Sequence, residues 1–160
     1  MKYIRLTKEQ LEELHEEFAR FLATQSITAD EWEQLKKDKP QVAEEELDVF
    51  SDLVWEGVLR NAEYLEKIDA QQLFLFKIEP TEMKLIGIKV NDPSRDITTN
   101  EGFQWLLKNF LNDEIDFYEA SRAFTEDKEA EIFKLIMMGS NISKGEWYRY
   151  FEEVLNSEEE

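Results

Sequence analysis

QLFLFKIEPTEMKLIGIKV, residues 72–90, stands apart from its surroundings in its period. Apolar residues alternate on either side of a short polar break, Glu79–Glu82, which is the pattern of a β-hairpin. Pairing Ile78 with Met83 places Phe74, Phe76, Ile78, Met83 and Leu85 on one face. Leu73, Leu75, Ile86 and Ile88 then fall on the other, with Lys77 opposite Lys84 near the turn. Glu79 and Glu82 lie beside that lysine pair and relieve its repulsion. Away from the turn both faces are apolar, so both need cover. Helices of the same chain or a second copy, giving a homodimer, would supply it.

Working outward, the segments on both sides read as helices. Four starts share a Ser or Thr followed three residues later by Glu or Gln: Thr7/Gln10, Thr28/Glu31, Thr98/Glu101 and Ser143/Glu146. Such a capping box satisfies free backbone N–H groups at a helix start. The first helix carries Leu11, Leu14, Phe18, Phe21 and Leu22 on one stripe. A short second helix carries Trp32 and Leu35 and stops before Pro40, and a third runs over about 41–60. A fourth, 99–112, buries Phe103, Leu106, Leu107 and Phe110, and two more close the chain at about 126–138 and 144–156. Gly139 ends the first of that closing pair. Residues 61–68 and 115–124 are ambiguous between helix and strand, and strand is the better reading of each. The expected fold class is α+β: a single domain over 1–156, about six helices packed around a small antiparallel sheet containing the 72–90 hairpin. Residues 157–160 are expected to be a frayed acidic tail.

Composition narrows the function classes. The chain has 160 residues, no cysteine and a formal charge of −18. Disulfides, thiolate metal sites and a cysteine nucleophile are thereby excluded. A surface so acidic repels phosphate backbones and anionic membranes. It favours solubility, or a basic protein partner. The opening MKYIRLTKEQ has no apolar stretch behind it that would make a signal peptide, and no apolar run approaches the roughly 20 residues of a membrane span. A cytoplasmic location is expected.

The acids are densest in VAEEELDVFSDLVWEGVL, residues 42–59. At about 100° per residue, Glu45, Asp48, Asp52 and Glu56 share an arc of roughly 80°, opposite Ala43, Leu47, Phe50, Val54 and Val58. This row is expected to face water. Glu13-x-x-Glu16 and Glu45-x-x-Asp48 are similar to the paired acidic motifs with which helical nucleotide pyrophosphatases hold Mg²⁺. Both pairs point away from their own apolar stripes, however, and could not face each other across a bundle core. No metal site is therefore expected, with Glu13, Glu16, Glu45 and Asp48 as the alternative set.

The single histidine, His15, lies at the edge of the first apolar stripe. Glu12-x-x-His15 has the spacing of carboxylate-bridged di-iron bundles, but those sites need a second histidine. GIKVNDPS, residues 87–94, lacks a phosphate-cradling glycine pattern, and no nucleophile elbow is present. No catalytic residue and no cofactor are implied. In the last helix Trp147, Phe151 and Val154 form the core stripe, flanked by Tyr148 and Tyr150. Trp55 and Leu59 fall off the core stripe of the third helix. Aromatic and apolar residues at such borders cap cores or meet partners, which makes Trp55, Leu59, Tyr148 and Tyr150 the partner-contact candidates.

In YIRLTKEQLEELHEEFARFLA (3–23), FSDLVWEGVLRNAEYLE (50–66) and ISKGEWYRYFEEVL (142–155), the chain resembles a family of uncharacterised proteins from Bacteroidetes-type bacteria, a domain of unknown function. The resemblance covers most of the chain and implies a bacterial, intracellular accessory protein. It carries no catalytic residues across. The function expected from the residues is a small acidic non-enzymatic protein-interaction or regulatory module with an unidentified, basic partner. The alternatives are a metal-dependent nucleotide phosphohydrolase using the outward acidic helix faces, and an acidic nucleic-acid mimic that binds a basic protein.

Overall fold

In this computed structural model, which describes residues 1–158, seven helices and five strands follow one another. The order is α1 (Lys8–Glu13), α2 (His15–Thr24), α3 (Ala29–Asp38), α4 (Pro40–Asn61), β1 (Tyr64–Ile68), β2 (Gln72–Ile78), β3 (Glu82–Val90), α5 (Asn100–Lys108), β4 (Ile115–Ala123), α6 (Lys128–Met137), β5 (Asn141–Ser143) and α7 (Glu146–Glu158). The fold is α+β, with an open antiparallel sheet in the order β4-β3-β2-β1-β5. Contacts group the chain into two compact units, Met1–Arg60 and Asn61–Glu160. Their boundary falls at the last residues of α4, so no linker composition marks it. Of the expected tail, Ser157 and Glu158 continue α7, while Glu159 and Glu160 lie outside the described residues.

The first unit is helical. Thr7 caps α1 in a full capping box: its hydroxyl accepts from Gln10 N–H at 3.1 Å, and the Gln10 amide oxygen accepts from Thr7 N–H at 2.9 Å. Such a cap contributes about 1 kcal/mol. The expected single first helix breaks at Leu14, which has φ −99° and ψ 22° and serves as the end of α1 and the start of α2. Thr28 caps α3 by accepting from Glu31 N–H. An aromatic cluster forms the centre of the unit. Phe18 meets Trp32 edge-on at 5.1 Å and Phe50 at 5.0 Å, and Phe21 lies 5.4 Å from Phe50. These pairings add to the area term of a buried ring.

In the second unit the hairpin adopts the expected register, with Ile78 opposite Met83, Leu75 opposite Ile86 and Lys77 opposite Lys84. Glu79 N–H closes the turn onto the Glu82 carbonyl at 2.9 Å. Leu73, Leu75, Ile86 and Ile88 are buried in one core with Leu106 and Phe110, at the end of α5, and with Tyr148, Phe151 and Leu155 of α7. Helices α5 and α7 therefore cover that face. On the other face α6 meets the sheet at Arg122 of β4, which reaches Glu131 of α6 at 3.4 Å, and at Leu135, which shares a space with Phe76, Met83 and Leu85. Gly87 is buried there because the Tyr118 ring crosses it; a Cβ at Gly87 would stand 2.2 Å from that ring.

Both ambiguous segments are strands, β1 from Tyr64 and β4 from Ile115. The three-residue β5 is an addition to the expected sheet. Two expected caps shift. Thr99, not Thr98, caps α5 by accepting from Gly102 N–H at 3.0 Å, because the Thr98 hydroxyl is bound to the Asp96 carboxylate. Ser143 sits in β5, where its hydroxyl oxygen accepts from Gly145 N–H at 3.1 Å rather than opening α7. Helix α6 ends as expected at Gly139, whose φ of +108° suits only glycine well.

Candidate functional site

The acidic row of α4 does not stand free in water. Asp52 accepts from the backbone N–H of Lys2 at 2.7 Å and of Tyr3 at 2.9 Å. Asp48 accepts from Arg5 Nε at 2.7 Å, and Glu56 lies 3.6 Å from Lys2 Nζ. Between them the buried Ser51 hydroxyl accepts from Leu6 N–H at 3.0 Å and donates to the Leu47 carbonyl at 2.7 Å. Asp48, Ser51, Asp52 and Glu56 thus form a strip that fixes the segment 2–6, with Tyr3 and Leu6 buried beside it. The Arg5 hydrogen bond holds the Asp48 carboxyl below the usual carboxylate range. Glu45 is exposed, and Asp48, Asp52 and Glu56 are half-buried. The expectation of a solvated row is corrected on this point, since the acids have partners within their own unit.

The alternative metal set is not brought together either. Glu13 is the last residue of α1 and Glu16 lies in α2, so the break at Leu14 divides the pair. Both are exposed, and Glu16 lies 4.0 Å from Arg20. His15 is exposed, with Nδ1 2.9 Å from the Glu12 carbonyl oxygen. Among the described residues no three His, Asp or Glu side chains are grouped to hold a metal ion. None of the described helices is long and apolar enough to cross a membrane.

Two of the four partner-contact candidates prove to be core residues. Leu59 is 0% exposed and Tyr148 is 4% exposed. The α7 stripe is rotated by one residue from the expected one, so Tyr148, Phe151 and Leu155 point inward and Trp147 and Val154 are half-buried. Trp55 is half-buried. Tyr150 stays at the surface, 40% exposed, with its ring edge-on to Phe151 at 5.0 Å.

The second unit carries what the sequence reading missed. Strand β4 is a nine-residue edge of the sheet, and every residue after Ile115 is exposed. Phe124 N–H donates to the Thr81 carbonyl at 3.1 Å and Asn91 N–H to the Glu114 carbonyl at 2.7 Å. At both ends, therefore, the even-numbered residues turn their backbone groups to the β3 side. By the alternation of an antiparallel ladder, Phe117, Glu119, Ser121 and Ala123 turn theirs outward. No other described strand pairs with that edge.

A cleft lies beside this edge on each face. On the α7 face, Glu119 and Ser121 of β4, Tyr148, Glu152 and Asn156 of α7, and Lys84 line a space of about 410 Å³. Among the described residues neither Glu119 nor Glu152 has an ion pair, and Lys84 is drawn to Glu79 at 3.5 Å. The Tyr148 hydroxyl is pushed up to about 12, first by burial and then by the nearby charges of Glu152, Glu119 and Glu79. On the opposite face Phe76, Met83, Leu85, Ala120, Arg122 and Leu135 line a space of about 300 Å³.

A further carboxylate was also missed. Glu66 of β1 lies on the α7 face, in clefts shared with Trp147. Burial, reinforced by Glu146, raises its carboxyl above the usual range, against a hydrogen bond from Ser143. Only the strand reading of 61–68 could have placed it there.

No curated protein and no solved structure matches the chain. Residues 1–156 match the Family of unknown function (DUF6495), and the chain belongs to that family.

Proposed function

We propose that this protein is a non-enzymatic protein-interaction module of the bacterial cytoplasm, and that the open edge of β4 is where its partner binds. The reading rests on one observation: nine residues of strand end the sheet with their outer backbone groups unpaired among the described residues. A long bare edge is a ready template for another chain. The formal charge of −18 makes a basic partner the favoured one. The α4 acids give the phosphohydrolase alternative no support, because Asp48 and Asp52 are engaged by Arg5 and by backbone N–H groups.

The test is capture of the partner from native lysate by the wild-type protein and by Ser121→Pro. Proline at an outward position removes a donor from the free edge and leaves the bonds to β3 intact. The partner should be lost with Ser121→Pro and kept with Tyr150→Ala. Capture by the wild type should weaken steeply as salt rises, since exposed charges are screened beyond roughly 10 Å at 0.1 M. Undiminished capture by a folded Ser121→Pro variant overturns the reading.

A further inference from the structure

We infer that the β4 edge takes an extended segment in which apolar and basic residues alternate, added as a sixth strand of the sheet. The inference rests on the edge reading above and names the chemistry of its ligand. Exposure of an edge alone would say little. Asp116, Glu119 and Arg122 are the charges by which many proteins keep such an edge from pairing at all. The further observation is that the two clefts meet the edge at the same place in the ladder and differ in character.

Successive side chains of an added strand point to opposite faces. A residue set opposite Ala120 would lie on the α6 face, beside the apolar space lined by Phe76, Met83, Leu85 and Leu135. Its neighbour, opposite Glu119 or Ser121, would lie on the α7 face beside Glu119 and Glu152. The first place suits an aliphatic side chain. The second suits lysine or arginine, whose charge would meet two carboxylates that make no ion pair among the described residues, the cleft's Lys84 being drawn to Glu79. Backbone bonds to Phe117, Glu119 and Ser121 would supply affinity, and the two clefts would supply selectivity, as in other strand-addition complexes.

A second copy of this chain is a poorer occupant. It brings a further −18 of formal charge to the edge. Its own β4 also carries acids, Asp116 and Glu119, in the ladder.

The experiment uses the full chain and two end-blocked heptapeptides, one alternating valine with lysine and one alternating valine with glutamate. Binding is read by calorimetry and by amide hydrogen exchange. The valine–lysine peptide should bind and slow exchange at Phe117, Glu119 and Ser121 by roughly tenfold or more at saturation. Ser121→Pro should abolish binding, and Glu119→Gln with Glu152→Gln should weaken it about five- to tenfold. Equal binding of the valine–glutamate peptide overturns the inference. So does binding that ignores these variants, or protection of the edge amides by self-association of the free protein. If Ser121→Pro strips the natural partner but the valine–lysine peptide does not bind, the ligand chemistry falls and the edge reading stands. If Ser121→Pro leaves the natural partner in place, the edge reading falls with it.

Discussion

The acids of the two units keep different company. On α4, Asp48 has Arg5 and Asp52 has the N–H groups of Lys2 and Tyr3. In the second unit Glu66 has one serine hydroxyl and a neighbouring acid, and Glu119 and Glu152 make no ion pair among the described residues, Lys84 beside them being drawn to Glu79. The first set fastens the chain to itself, at a net gain from charge-assisted hydrogen bonds. In the second set Glu119 and Glu152 leave negative field beside the open strand β4, while Glu66 lies on β1, away from that edge. Periodicity gives the side of a helix on which an acid lies; it does not say what will be laid against that side.

The sharpest way to break the comparison is to place a carboxylate where no company is available. Ile86 is 1% exposed, and its ladder partner on β4 is Glu119. One position in that row accepts an acid and the next cannot. Ile86→Asp should cost about 3–5 kcal/mol, since an uncompensated charge in a core has neither water nor a cation. Urea denaturation followed by circular dichroism should find the sheet lost. A cooperatively folded Ile86→Asp variant of near wild-type midpoint would show that the buried face is wetter than the hairpin register implies.

Removing a well-partnered acid comes next. Asp52→Ala leaves two backbone donors without their acceptor, one of them part-buried. The expected loss is about 1–2 kcal/mol, below the full value of a charged hydrogen bond because water reaches the Lys2 donor. Amide exchange at Tyr3 should quicken markedly while that of β2 and β3 does not. Exchange unchanged at Tyr3 would mean that the Ser51 bond to Leu6 holds the segment alone.

Acid titration separates the two kinds of carboxyl by sign. Asp48 is held below its unfolded value, so its contribution is complete above the usual carboxylate range, near pH 4, and is lost as pH falls through the folded value. Glu66 is raised, so the folded state binds the proton more tightly. Its penalty is absent below the usual range and sets in as pH rises through the folded value. Glu66→Gln should therefore stabilise the protein at pH 7, by less than about 1 kcal/mol once solvent screening is allowed for. Asp48→Asn should instead flatten the acid limb of the stability curve. A destabilised Glu66→Gln protein would show that the Ser143 hydrogen bond outweighs desolvation.

These contrasts mark what could be read in advance. The hairpin was legible because strict alternation, a polar break and two-sided apolar faces agree on one register. The α4 row was legible as a row, but the segment that covers it was not. Only Tyr3 and Leu6 of 1–6 are buried, which is too short a pattern to read as an element. The break at Leu14 falls among good helix formers, and no residue in EELHEEF announces it. The cap shifted from Thr98 to Thr99 because two adjacent threonines compete and Asp96 binds the first. The β4 edge and its clefts were out of reach for a different reason. An edge is a property of strand order, and Phe76, Ala120 and Leu135 meet only after three segments have taken their places.

The smallest effect belongs to the turn end of the hairpin, where acids and lysines share one surface. Lys77 and Lys84 face each other in the ladder, and Glu79 lies 3.7 Å from the first and 3.5 Å from the second. Removing Lys84 takes away one weak, partly solvated ion pair and one like-charge repulsion at once. The two changes oppose each other, and Glu79 keeps Lys77. Lys84→Ala should therefore stay within about 0.5 kcal/mol of wild type in urea denaturation. Among the described residues that line the Glu119–Glu152 cleft, Lys84 also supplies the only positive charge. The same variant should bind the valine–lysine peptide slightly more tightly, by about twofold. A Lys84→Ala protein that loses stability well beyond that limit would show that its stem, rather than its charge, holds the turn against α7.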